Sequence, residues 1–250
     1  NVNGRFEVNW EELERMLSDD RTKLFILCNP QNPTGRVFTR EELTRMGNLC
    51  IKHHVTVIAD EIHQDVVYSG HKHIPFASIC PEFAEITVSF MNPSKTFNVP
   101  GFRTAAFIAS NPVLKSAVHE MLVNNKAIGE NICGTIAFYT AYEQCDYYAD
   151  QLVAYLEKNR DLVEQTLKDV PGIEVTHAEG TYLLWLDCRG LGLNSQQMED
   201  FIENKARLWL DGGEMFGEEG AGFQRVNIAC PRATLAEAFR RLKQAVQSLG

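Results

Sequence analysis

LFILCNPQNPTGRVFTREELTRMGNLCIKHHVTVIAD, residues 24–60, joins two short apolar runs through a punctuated loop and a helical stretch. LFILC at 24–28 is continuously apolar, as a strand buried on both faces is. NPQNPTG ends it, since proline withdraws backbone donors and the closing glycine permits a turn. Thr39 with Glu42 three residues on is a capping-box pattern, so a helix begins there and runs to about His53. VTVIAD at 55–60 supplies a second buried strand. Strand, helix and strand in this order form a parallel βαβ unit with both sheet faces covered, which makes the fold α/β.

Outward from this unit, residues 10–18 (WEELERMLS) have helical spacing, ITVSF at 86–90 reads as a third strand and TAAFIAS at 104–110 as a fourth. From Asn111 the texture turns helical through VLKSAVHEMLVNNKA, IAFYTAYEQ and DQLVAYLEKNRDLVEQTLKDV, where Pro171 and Gly172 stop it. Two strand-like stretches in IEVTHAEGTYLLWLDC follow, then a helix near 195–205, the strand QRVNIAC and a closing helix over 234–248. These make a smaller α+β unit. The expected division is 1–160 for the larger part and 161–250 for the smaller, with the long helix across 147–169 as the hinge.

The 250 residues are 44% apolar and 23% charged, enough for a sizeable core in one large domain or two smaller ones. A net charge of −9 disfavours nucleic acid and anionic membrane as partners. Seven cysteines, an odd count without a CxxC pair, fit buried thiols in a reducing compartment rather than a disulfide framework. No apolar run is long enough to span a membrane, and NVNGRFEVNW lacks the layout of a signal peptide. The expected location is the cytoplasm.

Three polar groups are expected at the carboxyl edge of the sheet, where open α/β folds bind ligands. Lys95 follows the third strand within NPSKTFN, Asp60 ends the second and Asn32 follows the first. Each alone has an ordinary reading, a solvated lysine or a loop-capping side chain. Their convergence favours a site, and His63 lies three residues past Asp60. Neither GxGxxG nor GxxxxGK occurs, so a nucleotide cradle is not indicated, and GxSxG is absent too. His71 and His73 in GHKHIPF have no third ligand spaced for a metal and read as structural. Arg225, inside an apolar strand, needs a carboxylate: that of a substrate, or that of Glu218 or Glu219 nearby in sequence.

Taken together, QNPTGRVFTREEL, ADEIHQDVVYSGHKHIPFAS, PSKTFNVPGFR, EGTYLLWLDC, MFGEEGAGF and RVNIACPR resemble the fold-type I pyridoxal-phosphate enzymes of the class I/II aminotransferase superfamily. Within it they are most similar to the MalY/PatB-type cystathionine β-lyases, or C-S lyases. The resemblance implies a three-layer α/β large domain, present in part, and a small α+β carboxyl-terminal domain. It implies pyridoxal 5'-phosphate as cofactor, Lys95 as the lysine of the internal aldimine and Asp60 as partner of the ring nitrogen. Asn32 and His63 would serve the ring's 3-oxygen, Ser94 and Asn92 the phosphate, and Arg225 the substrate carboxylate. Arg103 matches a phosphate-binding arginine of the aminotransferases, although the lyase branch often lacks one there. The implied reaction is elimination from cystathionine or cysteine-type amino acids to pyruvate, ammonia and a thiol. The alternatives are an aminotransferase, in which the same residues serve, or a regulatory protein with an aminotransferase-like domain.

Members of that family are longer and homodimeric with shared active sites, so the resemblance implies a chain that starts partway through the large domain. An exposed sheet edge and an uncovered apolar face would then favour association. Weak cofactor binding and poor activity are expected of this chain by itself.

Overall fold

The computed structural model describes residues 4–129 and 131–249. Contacts group the chain into two compact units, one of residues 8–30 and 37–152 and one of residues 1–7, 31–36 and 153–250.

The first unit is built on a sheet of four strands in the order β1 (Leu24–Cys28), β2 (Thr56–Asp60), β3 (Thr87–Met91) and β4 (Ala106–Ile108). β1, β2 and β3 run parallel, with Cys28 opposite Asp60 and Asp60 opposite Phe90, so their carboxyl ends finish almost flush. β4 is short and antiparallel to β3. Helix α1 (Trp10–Leu17) and helix α2 (Arg40–Lys52) bring Leu17, Leu43, Met46 and Cys50 onto Leu27, Val57 and Ala59 of the sheet. Thr39 caps α2 through its side chain while Glu42 reaches back to the cap, the expected reciprocal box. In the short helix α3 (Pro81–Glu85), Phe83 stacks on Phe76 at 5.1 Å and its ring lies directly on the backbone of Gly47. Helices α4 (Pro112–Asn124) and α5 (Ile132–Gln144) complete the unit, and α6 (Asp146–Leu167) carries the chain into the second.

The second unit has an antiparallel sheet in the order β5 (Glu174–Val175), β6 (Leu183–Asp187), β8 (Phe223–Asn227) and β7 (Asp211–Gly212). Leu184 and Leu186 are fully buried, as are Leu156 and Val163 of α6 and Leu242 of the closing helix α8 (Arg232–Gln247). Buried Asn159 donates from Nδ2 to the Ile228 and Cys230 carbonyls, tying α6 to the chain beyond β8. Helix α7 (Ser195–Asp200) continues as one wider π turn over 201–205.

The grouping differs from a single cut at 160/161, because two distant stretches join the second unit by polar contacts that no local pattern encodes. The Gly35 carbonyl accepts the Glu179 and Gly180 amides at 2.9 and 3.0 Å. Gly35, at φ +73°, sits so close that a Cβ would stand 2.7 Å from that of Ala178. Buried Arg36 donates to the Phe6 carbonyl at 3.0 Å, and Arg5 pairs with buried Glu179 at 2.9 Å. No described helix is long and apolar enough to cross a membrane.

Candidate active site

The residues singled out by sequence fall into two groups, one in each unit. In the first unit, β1 and β3 flank β2, and all three end at the same edge, so the turns after β2 and β3 both start there. Asp60 is the last residue of β2 and half-buried. Its Oδ1 accepts one long bond, 3.3 Å from the Ile62 amide, and its carbonyl accepts the Asn29 amide at 3.0 Å. No cation lies within ion-pair distance of its carboxylate among the described residues, so this carboxylate has capacity for a donor. Buried His63 sits in the turn after β2.

Lys95 lies in the turn after β3, half-buried, and among the described residues its amine has no hydrogen-bond or ion-pair partner. Asn92 Oδ1 takes the Ser94 amide at 3.0 Å and the Pro93 carbonyl takes the Phe97 amide at 2.9 Å, which folds the loop tightly around the lysine. Arg103 is exposed and left-handed, at φ 48°, just past the 3₁₀ turn Pro100–Phe102. An amine without a partner and a carboxylate with one long bond thus lie at the ends of two neighbouring parallel strands, on one edge of the sheet.

In the second unit, Arg225 stands opposite Asp211 across β7 and β8. Its Nε and Nη2 donate to Asp211 Oδ2 at 3.0 and 2.6 Å, its Nη1 donates to Asn32 Oδ1 at 3.0 Å, and its guanidinium lies 4.8 Å from the Phe216 ring centre. The structural partner is therefore Asp211 and not Glu218 or Glu219, because those two lie in a separate 3₁₀ turn while strand register delivers Asp211 directly. Asn32 belongs with this group by its bond to Arg225. The Nη1–Nη2 edge retains N–H donors for a carboxylate.

Behind Asp60 lies a buried cluster that the sequence pattern did not announce. Glu61 accepts the Phe76 amide at 2.8 Å, His73 Nε2 stands 3.7 Å from Glu61 Oε1, and His73 Nδ1 is 3.3 Å from Asn29 Nδ2. Burial pushes the His73 imidazole down to about 4 and holds the Glu61 carboxyl above its ordinary range. His71 is exposed, and no group of three His, Cys, Asp or Glu residues able to hold a metal occurs among the described residues.

The chain matches the family of class I and II aminotransferases over residues 1–242, and it belongs to that family. It is 38% identical over 244 residues to the cystathionine β-lyase PatB of Bacillus subtilis (strain 168), covering 97% of this chain and 63% of that protein. It is 32% identical to protein MalY of Escherichia coli (strain K12), covering 95% of this chain and 61% of that one. The structure superposes on cystalysin from Treponema denticola, which contains a pyridoxal 5'-phosphate cofactor, with a TM-score of 0.97 and 31% identity over 100% of this chain and 64% of that one. The chain thus spans a little under two thirds of these relatives, and its architecture is that part of the fold-type I α/β fold.

Proposed function

We propose that this chain carries the lysine-bearing part of a pyridoxal-phosphate-dependent carbon–sulfur β-lyase acting on cystathionine or cysteine-type amino acids. The observation that carries the reading is the unpartnered amine of Lys95 in the turn after β3, next to the strand that ends in underbonded Asp60. Relatives named as cystathionine β-lyases support the choice of reaction.

When bound, the cofactor supplies an electron sink for cleavage at the substrate's α-carbon. Asp60 would keep the ring nitrogen protonated, and Asn32 and His63 would serve the ring's 3-oxygen. Asn92 and Ser94 would hold the phosphate, with Arg103 as a further cation for it. Arg225 grips the substrate carboxylate through its Nη edge, while Asp211 and Phe216 hold the guanidinium in orientation. Lys95 Nζ takes the α-proton. With that proton removed, the bound cofactor would allow the Cβ–S bond to break, the thiolate leaving with the electron pair and taking up a proton, and addition of water would give pyruvate and ammonia.

An aminotransferase is the second reading, favoured by the 26% identity to an aspartate aminotransferase of Pyrococcus horikoshii over 90% of this chain. The intact protein would be a cytoplasmic homodimer that takes a small amino acid and neither nucleic acid nor membrane. We expect residues 1–160 to form the cofactor-binding part and 161–250 the small domain. This chain alone would hold the cofactor weakly.

The test uses the full-length protein that contains this chain. Cystathionine should yield pyruvate without any keto-acid acceptor, and borohydride should fix the cofactor on the peptide containing Lys95. Lys95→Ala should lose that linkage, and Asp60→Asn should cut turnover about 100-fold or more. Turnover that requires a keto acid would favour the aminotransferase, and a cofactor fixed on a different lysine would end both readings.

A further inference from the structure

The loop that presents Lys95 is fastened on both sides of the lysine by a pair of residues outside the roles assigned above. Thr96 is completely buried, and its Oγ1 donates to Asp65 Oδ2 at 2.9 Å. On the other side, Tyr142 of α5 donates from its hydroxyl to the Asn92 carbonyl at 3.0 Å. Phe97 closes the arrangement, edge-on to the Tyr142 ring at 5.6 Å and stacked on Tyr148 at 6.0 Å. Loop residues 92, 93, 94, 96 and 97 are thus each bonded or packed, and the lysine amine is the group left over.

A carboxylate kept out of water is expensive unless its bonds are good, and a solvated lysine loop would have no need of one. Asp65 lies in the segment just after His63, in the chain that continues from Asp60. Its bond to Thr96 therefore ties the segment following the aspartate to the loop bearing the lysine, which are the two groups whose separation an aldehyde-bearing ring must match. Burial holds the Asp65 carboxyl above its ordinary range, the bond from Thr96 opposes that rise, and Asp146 adds to it.

We propose that Asp65, through Thr96, and Tyr142, through the Asn92 carbonyl, are positioning residues that fix Lys95 Nζ relative to Asp60. This rests on the reading of Lys95 as the cofactor lysine. A displacement of about 1 Å at a reacting atom can cost on the order of 100-fold in rate, so loss of either tie should act on the chemical step while leaving the carboxylate grip of Arg225 untouched.

The experiment is made on the full-length protein with Thr96→Val, which deletes the hydroxyl at constant shape, Thr96→Ser, which restores it, and Tyr142→Phe, which keeps the ring against Phe97. Each cofactor-free variant is mixed with pyridoxal phosphate, quenched with borohydride at intervals and digested, and the labelled Lys95 peptide is followed by mass. Thr96→Val and Tyr142→Phe should label Lys95 about 10- to 100-fold more slowly, with kcat reduced in proportion and KM little changed, and Thr96→Ser should recover most of the rate. Should Thr96→Val not fold, Tyr142→Phe decides alone. Wild-type labelling rates and kcat in the folded Val and Phe variants, or failure of Ser to recover either, would overturn the proposal. A wild-type protein that never labels at Lys95 would instead remove the functional reading on which it stands.

Discussion

At Arg225 the shape of the cation decides more than its charge. Three of its nitrogens are committed in a plane to Asp211 and Asn32, with Phe216 beside the guanidinium, a geometry an ammonium cannot reproduce. Charge-assisted hydrogen bonds are worth about 1.5–3 kcal/mol, so Arg225→Lys in the full-length protein should raise KM for cystathionine roughly 10- to 100-fold with a smaller fall in kcat. Steady-state kinetics check this, and an unchanged KM would remove Arg225 from substrate binding. His73 offers a prediction of a different kind. Its folded value near 4 lies below the roughly 6.5 of an unfolded histidine, so between those values the unfolded chain holds more protons. The stabilising share of neutral His73 is fully present above about pH 6.5 and is lost as pH falls toward 4, amounting to about 2 kcal/mol by pH 5. Glu61, facing it at 3.7 Å and displaced upward by burial, works in the opposite direction, so only a comparison isolates the imidazole. Urea unfolding of the wild type and His73→Gln near pH 7 and pH 5 should show the variant losing less stability in acid by about that amount. Lys95 and Asp60 were legible as candidates because strand ends are written locally. Asp211 was not, since its meeting with Arg225 depends on the register of two strands and not on proximity in sequence. Asp65 was not either, as an aspartate near a turn looks solvated until Thr96 is folded over it.

Helix α2 joins a legible start to an illegible packing constraint. Its box of Thr39 and Glu42 could be read from spacing alone, and the structure starts the helix at Arg40 for that reason. The glycine in its middle carries no such signal. Propensity alone favours Gly47→Ala by about 1 kcal/mol, yet the added Cβ would fall within the van der Waals envelope of the Phe83 ring, which is itself stacked on Phe76 in the core. Overpacking of this sort costs about 1–3 kcal/mol, and the ring cannot swing aside without giving up its stack. Gly47→Ala should therefore lower the unfolding midpoint despite being the better helix former, whereas a rise would mean that the Phe83 ring has room to move. The same distinction runs through the other elements. β1, β2 and α2 were expected within a residue or so of where they lie, because their boundaries are set by local apolar runs, caps and prolines. The assignment of residues 31–36 to the second unit could not be anticipated, since the Gly35 carbonyl meets amides at 179 and 180, far along the chain.

At the scale of the whole chain, the first unit leaves several large apolar side chains exposed on its sheet edge and helices. β1 is an edge strand among the described residues, and its Leu24 and Ile26 are 56% and 68% exposed, while Leu27 on the opposite face is buried against α2. Met121 of α4 and Ile132, Ile136 and Tyr139 of α5 are all more than half exposed. An edge that combines unpaired backbone groups with apolar side chains is a template for another strand, and no lysine, proline or bulge blunts it between Leu24 and Cys28. The net charge of −9 opposes association only at long range and is screened within about 10 Å at ordinary salt. Contact across the edge should prevail, so the isolated 250-residue chain should self-associate in a concentration-dependent manner. Ile26→Lys puts a charge on the edge without disturbing the buried face. Since covering an isoleucine contributes about 1.5–3 kcal/mol, the substitution should shift the association midpoint roughly 10- to 100-fold toward higher concentration. Sedimentation velocity over a dilution series measures both midpoints. A wild-type chain that stays monomeric throughout, or a variant with an unmoved midpoint, would show that this edge is not what draws the copies together.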